Sequence, residues 1–202
     1  MENAKKKKKW PVIAAIAVLI AVLVLLLVRC GSSDPGVPTL TVETPQKRSA
    51  SDKEEFALDV TLSDLGEAIY PAASFSISFD SSRLEFLGVQ EGNVFILDDE
   101  NQMWQQLPDW SVNVQNSNDT GLINIMYLDM TGGRYAFSRD LLAEENNVVL
   151  RLKFRLRGSV RTGDVLDLIV EDAVFAASDE SQSLAMTTGT LNTKDSKIVI
   201  GE

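Results

Sequence analysis

The sequence predicts an all-β domain of the sandwich or barrel type, preceded by one N-terminal transmembrane helix. Three observations support this fold class. Residues 11–28 form an unbroken apolar run behind the five lysines of residues 5–9. From Thr39 onward, short segments of alternating apolar and polar residues are separated by turn residues, which is typical of half-buried strands. The chain has one cysteine and no histidine, so packing must stabilise its core without an internal disulfide or a zinc site.

The N-terminal segment predicts a membrane anchor. Residues 1–10 would be a basic cytoplasmic N-terminus, residues 11–29 a transmembrane anchor and residues 30–38 a short linker. A bilayer-spanning helix needs about 20 apolar residues, whereas a cleavable signal peptide carries about 7–15. Because basic segments resist translocation, we expect a single-pass protein of the bacterial cell membrane with its C-terminal domain outside. Lipidation at Cys30 is the alternative, although Arg29 occupies a position where such sites require a small residue.

The charges exclude several function classes. Residues 31–202 contain 13 basic and 28 acidic residues, which gives a net charge of −15. Such a surface repels nucleic-acid phosphates, so we expect no nucleic-acid binding. Without histidine, Ser–His and Cys–His catalytic pairs cannot form, and no pair of carboxylates stands in the setting of a glycosidase site. We therefore expect a chain that is not an enzyme.

The elements of the predicted domain, residues 39–202, follow from period-two alternation and turn chemistry. Phe75, Ile77 and Phe79, for example, alternate with serines, which gives one buried and one exposed face. Turns are predicted at residues 80–82, 118–121 and 162–164, and the only predicted helix spans residues 138–146, with Ser138 as its N-cap. Nine strands are predicted, at residues 40–43, 56–62, 75–79, 84–89, 111–114, 122–128, 148–157, 165–175 and 197–200.

Several of these segments resemble cohesin domains. Residues 75–86, FSISFDSSRLEF, are similar to the third and fourth cohesin strands, in which an alternating strand ends in aromatic-Asp and a short turn leads to Leu-Glu. Residues 123–133, INIMYLDMTGG, resemble the sixth strand and its acidic, glycine-containing loop. The long strand at residues 148–156 and the segment at residues 173–179 follow in the family's order. The resemblance covers roughly residues 39–200.

The resemblance implies a nine-stranded jelly-roll β-sandwich that binds a dockerin, the calcium-loaded partner module of cellulosome-type assemblies. The chain itself would need no cofactor, because the calcium would belong to the dockerin. In such proteins the contact surface is one sheet face, built from the third, fifth, sixth and eighth strands. The function implied is non-catalytic capture of dockerin-bearing proteins at the cell surface.

Strand alternation maps that face onto this sequence. If Phe75 in one strand and Ile125 in another point inward, the residues next to each of them in its strand point outward. Exposed Met126 and Leu128 beside polar groups would then suit a protein–protein interface. The alternative is that Met126 and Leu128 lie under a loop. The candidate partner-binding residues are Ala72, Ser74, Ser76, Asn113, Asn124, Met126, Leu128, Asp129, Thr131 and Gly132.

Carbohydrate binding is the second hypothesis. Trp104 and Trp110 lie in a segment with amide side chains, as in sandwiches that stack aromatic rings on sugars, although large aromatics also close the ends of cores. The oxygen-rich residues 98–101 lack the spacing of a helix-loop-helix calcium site.

A basic stripe on residues 151, 153, 155 and 157 could bind a polyanion. We favour the alternative that it pairs with acids such as Asp59 on a neighbouring strand.

Overall fold

Twelve strands and one short helix make up the part of the chain that the computed structural model describes. The described residues are 37–65, 68–94, 110–133, 135–139, 142, 147–177, 185–186 and 190–202, all within the C-terminal unit, Val37–Glu202. None of their helices is long and apolar enough to cross a membrane. The predicted cytoplasmic segment, the anchor at residues 11–29 and Cys30 lie outside these residues.

The elements are short, and most of them are strands. In chain order they are β1 Thr39–Val42, β2 Arg48–Ser49, β3 Phe56–Ser63, β4 Ala72–Phe79, β5 Leu84–Glu91, β6 Ser111–Val112, α1 Val114–Thr120, β7 Leu122–Leu128, β8 Val148–Leu156, β9 Val165–Ala176, β10 Ala185–Met186, β11 Asn192–Lys194 and β12 Ser196–Gly201.

The strands form two sheets that enclose one core. The first sheet has the order β11-β1-β3-β8-β5, and the second has the order β2-β12-β9-β4-β7-β6, with β10 paired to β9. All pairs are antiparallel except β1 with β11 and β2 with β12. Apolar residues on the inner faces of both sheets belong to a single buried cluster. The predicted β-sandwich class is therefore confirmed.

Aromatic rings join the two sheets. Phe79 on β4 meets Phe154 on β8 with ring centroids 5.7 Å apart, and Phe86 on β5 lies 5.5 Å from Phe154. On the inner side of the second sheet, Phe75 stacks on Phe175 at 6.5 Å. Such rings each bury a large apolar area and fix the spacing of the layers.

All nine predicted strands are present, but the strand count was too low. The structure adds β2, β10 and β11, which contain only two or three residues each. Residues Asn192–Lys194 are all exposed and polar, so β11 has no alternation that a sequence pattern could detect. It forms because its backbone pairs with β1 in parallel.

The prediction that residues 138–146 would be the only helix missed a helix that the structure places at Val114–Thr120, where a strand end and a turn were expected. Asn113 caps α1 by accepting a hydrogen bond from the Asn116 backbone N–H, and Gly121 closes it in the left-handed region at φ 72°. A Cβ at Gly121 would lie 2.8 Å from the Phe79 carbonyl oxygen, so the turn requires glycine. Most of residues 138–146 lie outside the described residues.

Two cations of the basic stripe pair with acids on neighbouring strands, as the favoured interpretation predicted. Arg151 Nε lies 2.9 Å from Asp59 Oδ1 on β3, and Arg155 Nη1 lies 3.4 Å from Glu85 Oε2 on β5. Because β8 runs between β3 and β5, these two arginines meet acids on different neighbours, while Arg157 donates to the Leu84 carbonyl and to Asn118 Oδ1. Nothing in this arrangement favours a polyanion site.

Candidate protein-binding face

The outward side of strands β7, β4 and β9 forms a continuous surface, which we call the exposed face. On β4, residues 73, 75, 77 and 79 are buried, while Ala72, Ser74, Ser76 and Ser78 face outward. On β7, Ile123, Ile125 and Tyr127 are buried and the residues between them face solvent. The predicted inward and outward sets of both strands are therefore confirmed.

Strand register arranges the exposed face in rows. One row contains Met126, Ser74 and Val174 from β7, β4 and β9, and the next row contains Asn124, Ser76 and Asp172. Leu128, Ala72 and Ala176 form the row at the opposite end. The structure thus brings six of the ten predicted site residues onto one surface: Ala72, Ser74, Ser76, Asn124, Met126 and Leu128.

Large apolar side chains protrude from the β7 end of this face. Met126 and Leu128 are each 61% exposed, and Met130, just beyond the strand, is 83% exposed. The alternative that Met126 and Leu128 lie under a loop is therefore wrong. A contiguous group of exposed apolar side chains on a soluble domain is a mark of an interaction surface.

A cross-strand hydrogen bond orders the polar centre of the face. Ser76 Oγ donates to Asn124 Oδ1 at 2.7 Å, and both residues sit opposite each other in the ladder. The bond fixes the orientation of the Asn124 side-chain amide on the sheet.

A β-bulge places two acids side by side on the β9 part of the face. The register of β9 against β4 shifts between Ser76 and Ile77, so that Asp172 opposes Ser76 while Val170 opposes Ile77. Glu171, the extra residue, is exposed beside Asp172 and accepts a hydrogen bond from Ser78 Oγ at 2.6 Å. Sequence reasoning missed both acids, because a bulge breaks the alternation that it relied on.

The acidic loop after β7 folds around Asp129. Its carboxylate accepts hydrogen bonds from the backbone N–H groups of Thr131, at 2.8 Å, and Gly133, at 2.7 Å, and from the Thr131 hydroxyl. Partial burial would raise the pKa of Asp129, but these hydrogen bonds outweigh it, and the pKa lies below its ordinary value. Thr131 and Gly132 are exposed at the rim of the face, whereas the carboxylate itself is occupied within the loop.

Asn113 is not a strand residue, which corrects its predicted position. It is exposed, but it follows the end of β6 and caps α1, with Oδ1 accepting from the Asn116 N–H at 2.9 Å. Its side-chain oxygen therefore serves the helix.

The structure excludes Trp110, one of the two aromatic residues on which the carbohydrate hypothesis depended, from stacking on a sugar. Trp110 is 6% exposed, and its ring centroid lies 4.9 Å from that of Tyr127 and 5.8 Å from those of Phe75 and Phe137. A ring enclosed in this way cannot stack on a sugar. Trp104 and residues 98–101 lie outside the described residues, and among the described residues no group of His, Cys, Asp or Glu is placed to hold a metal ion.

Solved structures provide the comparison with known proteins, because no protein-family model and no curated protein matches this sequence. The OlpA cohesin of Clostridium thermocellum, solved as a type I cohesin–dockerin complex, superposes with a TM-score of 0.60 at 17% identity over 82% of this chain and 99% of that chain. The third ScaC cohesin of Acetivibrio cellulolyticus, solved with the ScaB dockerin, gives a TM-score of 0.57 at 14% identity, with coverages of 82% and 99%.

A third similar structure comes from a different setting. The cohesin module of a family 33 glycoside hydrolase from Clostridium perfringens gives a TM-score of 0.56 at 10% identity, over 82% of this chain and 98% of that chain. In all three cases nearly the whole of the cohesin is matched, by 82% of this chain. That part of the chain therefore has the fold of cohesin modules.

Proposed function

We propose that this chain is a non-catalytic binding module that captures dockerin-bearing proteins, in cellulosome-type assembly, through its exposed face. The observation that supports this proposal most directly is the combination of a cohesin fold with a sheet face on which Met126 and Leu128 are each 61% exposed. Several of the similar cohesins were solved in complex with dockerins. A dockerin is therefore the first partner to test.

The composition of the exposed face suits a protein partner. Burying a side chain such as Met126 or Leu128 completely contributes about 1.5–3 kcal/mol, and because each is 61% exposed in the unbound chain, part of that gain is available to binding. The centre, with Ser74, Ser76 and Asn124, carries no charge, so a partner would desolvate hydrogen-bonding groups but no ion there. Protein–protein interfaces combine apolar contacts with hydrogen-bonding polar groups, and the exposed face offers apolar side chains on β7 beside uncharged polar groups on β4 and β7.

Isothermal titration calorimetry of the full-length chain, kept in a mild detergent, against a panel of purified type I dockerins tests the proposal. Binding should require calcium and be lost with a chelator, because the proposed calcium sites belong to the dockerin. The dockerin of the OlpA complex is a suitable first probe. Failure of every dockerin in the panel to bind, while the chain is folded by circular dichroism, would reject the function.

The proposal includes membrane attachment through residues 11–29, with the binding domain outside the cell. The apolar run and the preceding lysines support it. Carbonate extraction of membranes from expressing cells, followed by protease treatment of intact cells, tests it: the chain should stay in the pellet and the domain should be cleaved from outside. Incorporation of labelled palmitate at Cys30, lost in Cys30→Ser, would instead support the lipoprotein alternative.

A further inference from the structure

Met126 has a serine on each side of it in the exposed face. Ser74 on β4 and Ser111 on β6 are both its register partners, and both are exposed. Side chains that oppose each other directly on antiparallel strands have Cβ atoms about 4.5–5.5 Å apart. The two hydroxyls therefore border the Met126 side chain, whose thioether sulfur is only a weak hydrogen-bond acceptor.

The other two outward serines of β4 already donate hydrogen bonds. Ser76 donates to Asn124 Oδ1 at 2.7 Å, and Ser78 donates to Glu171 Oε1 at 2.6 Å. Within the part of the chain that the structure describes, no hydrogen bond joins either hydroxyl of the Met126 row to an acceptor. This row therefore holds two donors beside a side chain that gives them no strong acceptor.

The Met126 sulfur is open to small oxidants, because its side chain is 61% exposed. The described residues contain neither cysteine nor histidine, and Trp110, their only tryptophan, is buried. Exposed thioethers are therefore the groups among them that an oxidant attacks most readily. The compartment outside the cell, where the proposed function places this domain, is an oxidising one.

We propose that Met126 is a site of reversible oxidation by hydroperoxides, and that its sulfoxide weakens partner capture. The sulfur lone pair attacks the outer oxygen of the hydroperoxide, and the S–O bond forms as the O–O bond breaks. The proton of the transferred oxygen passes to the leaving oxygen, which departs as water or an alcohol, so sulfur loses the two electrons that the peroxide gains. The sulfoxide oxygen then accepts hydrogen bonds from Ser74 and Ser111. Reduction by a dithiol returns the thioether and yields a disulfide and water.

The effect on capture rests on the proposed function, because it requires the exposed face to be the binding site. A sulfoxide is polar and chiral, so oxidation would replace an apolar contact of that face with a hydrogen-bonded polar group. Leu128, the other large apolar side chain of the face, has no sulfur, and Ala72 opposite it has no side-chain donor. Met130 is 83% exposed but follows the last ladder bond, from the Asp129 N–H to the Pro71 carbonyl, and is the natural comparison.

The first test needs no partner. The full-length chain, labelled with ¹³C at its methionine methyl groups and kept in a mild detergent, is treated with hydrogen peroxide, and peptide mapping measures sulfoxide at each methionine. The NMR order parameter of the Met126 methyl group should rise on oxidation, because the two serines hold the sulfoxide, whereas that of Met130 should not. In Ser74→Ala/Ser111→Ala the rise should disappear. Met126 left unoxidised, no rise in the wild-type chain, or an equal rise in the double variant would overturn the proposed site.

The second test measures capture by calorimetry after catalase has removed the peroxide, so that the dockerin itself is not oxidised. Oxidation should weaken binding of a dockerin that the reduced chain binds by about tenfold or more. Methionine sulfoxide reductases for both sulfoxide epimers should restore the affinity. Met126→Leu keeps an apolar side chain that peroxide does not oxidise, so it should bind equally before and after treatment. Met130→Leu is the matched control and should lose affinity on oxidation as the wild-type chain does.

The outcomes separate this inference from the proposed function. Full binding by a wild-type chain that carries the Met126 sulfoxide would overturn the inference while leaving dockerin capture intact. Equal losses in Met126→Leu and the wild-type chain would assign the effect to another methionine and overturn it as well. If the reduced chain binds no dockerin, the proposed function and the effect on capture are both rejected, and the order parameters still decide whether the two serines hold the sulfoxide.

Discussion

Ser76 on β4 donates a 2.7 Å hydrogen bond to Asn124 on β7, directly across the strand pair that forms the middle of the exposed face. Both residues are close to solvent, and neither is needed to close the core. The bond therefore orders a surface that the free chain leaves uncovered. This preorganisation lowers the entropy cost that a partner would otherwise meet on binding.

We expect Ser76→Ala and Asn124→Ala each to weaken dockerin binding by about three- to tenfold. The double variant should lose less than the product of the two, because the side chains act as one unit. Calorimetric titration of the four proteins gives this comparison. Thr41→Ala, on β1 in the opposite sheet, is the control and should bind normally. Strictly multiplicative losses would mean that the Ser76–Asn124 bond does not shape the binding surface.

Met126→Glu should abolish detectable capture, a loss of about a hundredfold or more, because a carboxylate would be buried where an apolar side chain was buried before. Ser74→Arg should act similarly, because a long charged side chain would stand at a small, exposed position in the middle of the face. Neither change should move the melting temperature by more than about 2 °C, since both side chains are exposed. Surface plasmon resonance and differential scanning fluorimetry on the same samples provide the two measurements.

Val37→Glu is the control for Met126→Glu. Val37 is 53% exposed and precedes β1, outside the strands of the exposed face. The Val37→Glu variant should bind dockerin like the wild-type chain. Wild-type affinity in Met126→Glu, or equal loss in Val37→Glu, would show that the exposed face is not the binding site.

The sequence predicted the two central strands well because period-two alternation determines which side chains a strand buries. Ile123 and Ile125 had to point one way and Asn124 and Met126 the other. The bulge was not predictable in this way, since Glu171 and Asp172 are consecutive residues that are both exposed. Only the pairing of β9 with β4 identifies them as neighbours on the same face.

The helix α1 was missed for a related reason. Its sequence, VQNSNDT, contains only one good helix former, Gln115, and it follows a strand-like pair. Tertiary contacts and caps decide its conformation: Asn113 at its start, Gly121 at its end and the side chain of Asn118 against β5. Trp110 shows the same limit, because the sequence left a core role and a sugar-binding role both open, and packing against Tyr127 decides between them.

Asn118→Ala should destabilise the domain by about 2–3 kcal/mol. The Asn118 amide donates to the Phe86 carbonyl at 2.8 Å and its oxygen accepts from the Phe86 N–H at 2.9 Å, so the side chain pairs both backbone groups of a residue on β5, the edge strand of its sheet. Removing it leaves two backbone groups of a buried residue without these partners. Urea unfolding of the full-length chain measures the change, and Asp119→Ala, the exposed next residue, should alter stability by less than about 0.5 kcal/mol.

Trp110→Ala should cost about 3–5 kcal/mol in unfolding free energy, the range for truncating a large buried aromatic. The indole fills the space between Phe75, Tyr127 and Phe137. Trp110→Phe retains part of that contact and should cost about half as much. Stability unchanged in Trp110→Ala would contradict the core role of this residue and reopen the question of a sugar-binding surface.

Stability should depend on pH through Asp129. Hydrogen bonds from Thr131 and Gly133 hold the pKa of this carboxyl below its ordinary value of 3.8 in the folded chain. A lowered folded-state pKa means that the carboxylate contributes stability above the unfolded value, and that this contribution is lost as the pH falls through the folded pKa. Asp129→Asn should therefore be less stable than the wild-type chain at pH 7, and the difference should narrow below about pH 4. Urea unfolding at pH 7, 5, 3 and 2 measures it.

Thr131→Val separates the hydrogen bonds from the charge. It removes the hydroxyl donor while the backbone donors to Asp129 remain, so it should reduce, but not eliminate, the stability lost between pH 5 and pH 2. This acid-dependent loss should be largest in the wild-type chain, smaller in Thr131→Val and smallest in Asp129→Asn. Because the loop borders the exposed face, the same series at pH 7 also tests whether loop order matters for capture: Thr131→Val should weaken dockerin binding only if the loop contacts the partner. If the free energy of unfolding changed by the same amount with pH in all three proteins, these hydrogen bonds would not hold the Asp129 carboxylate in its charged form.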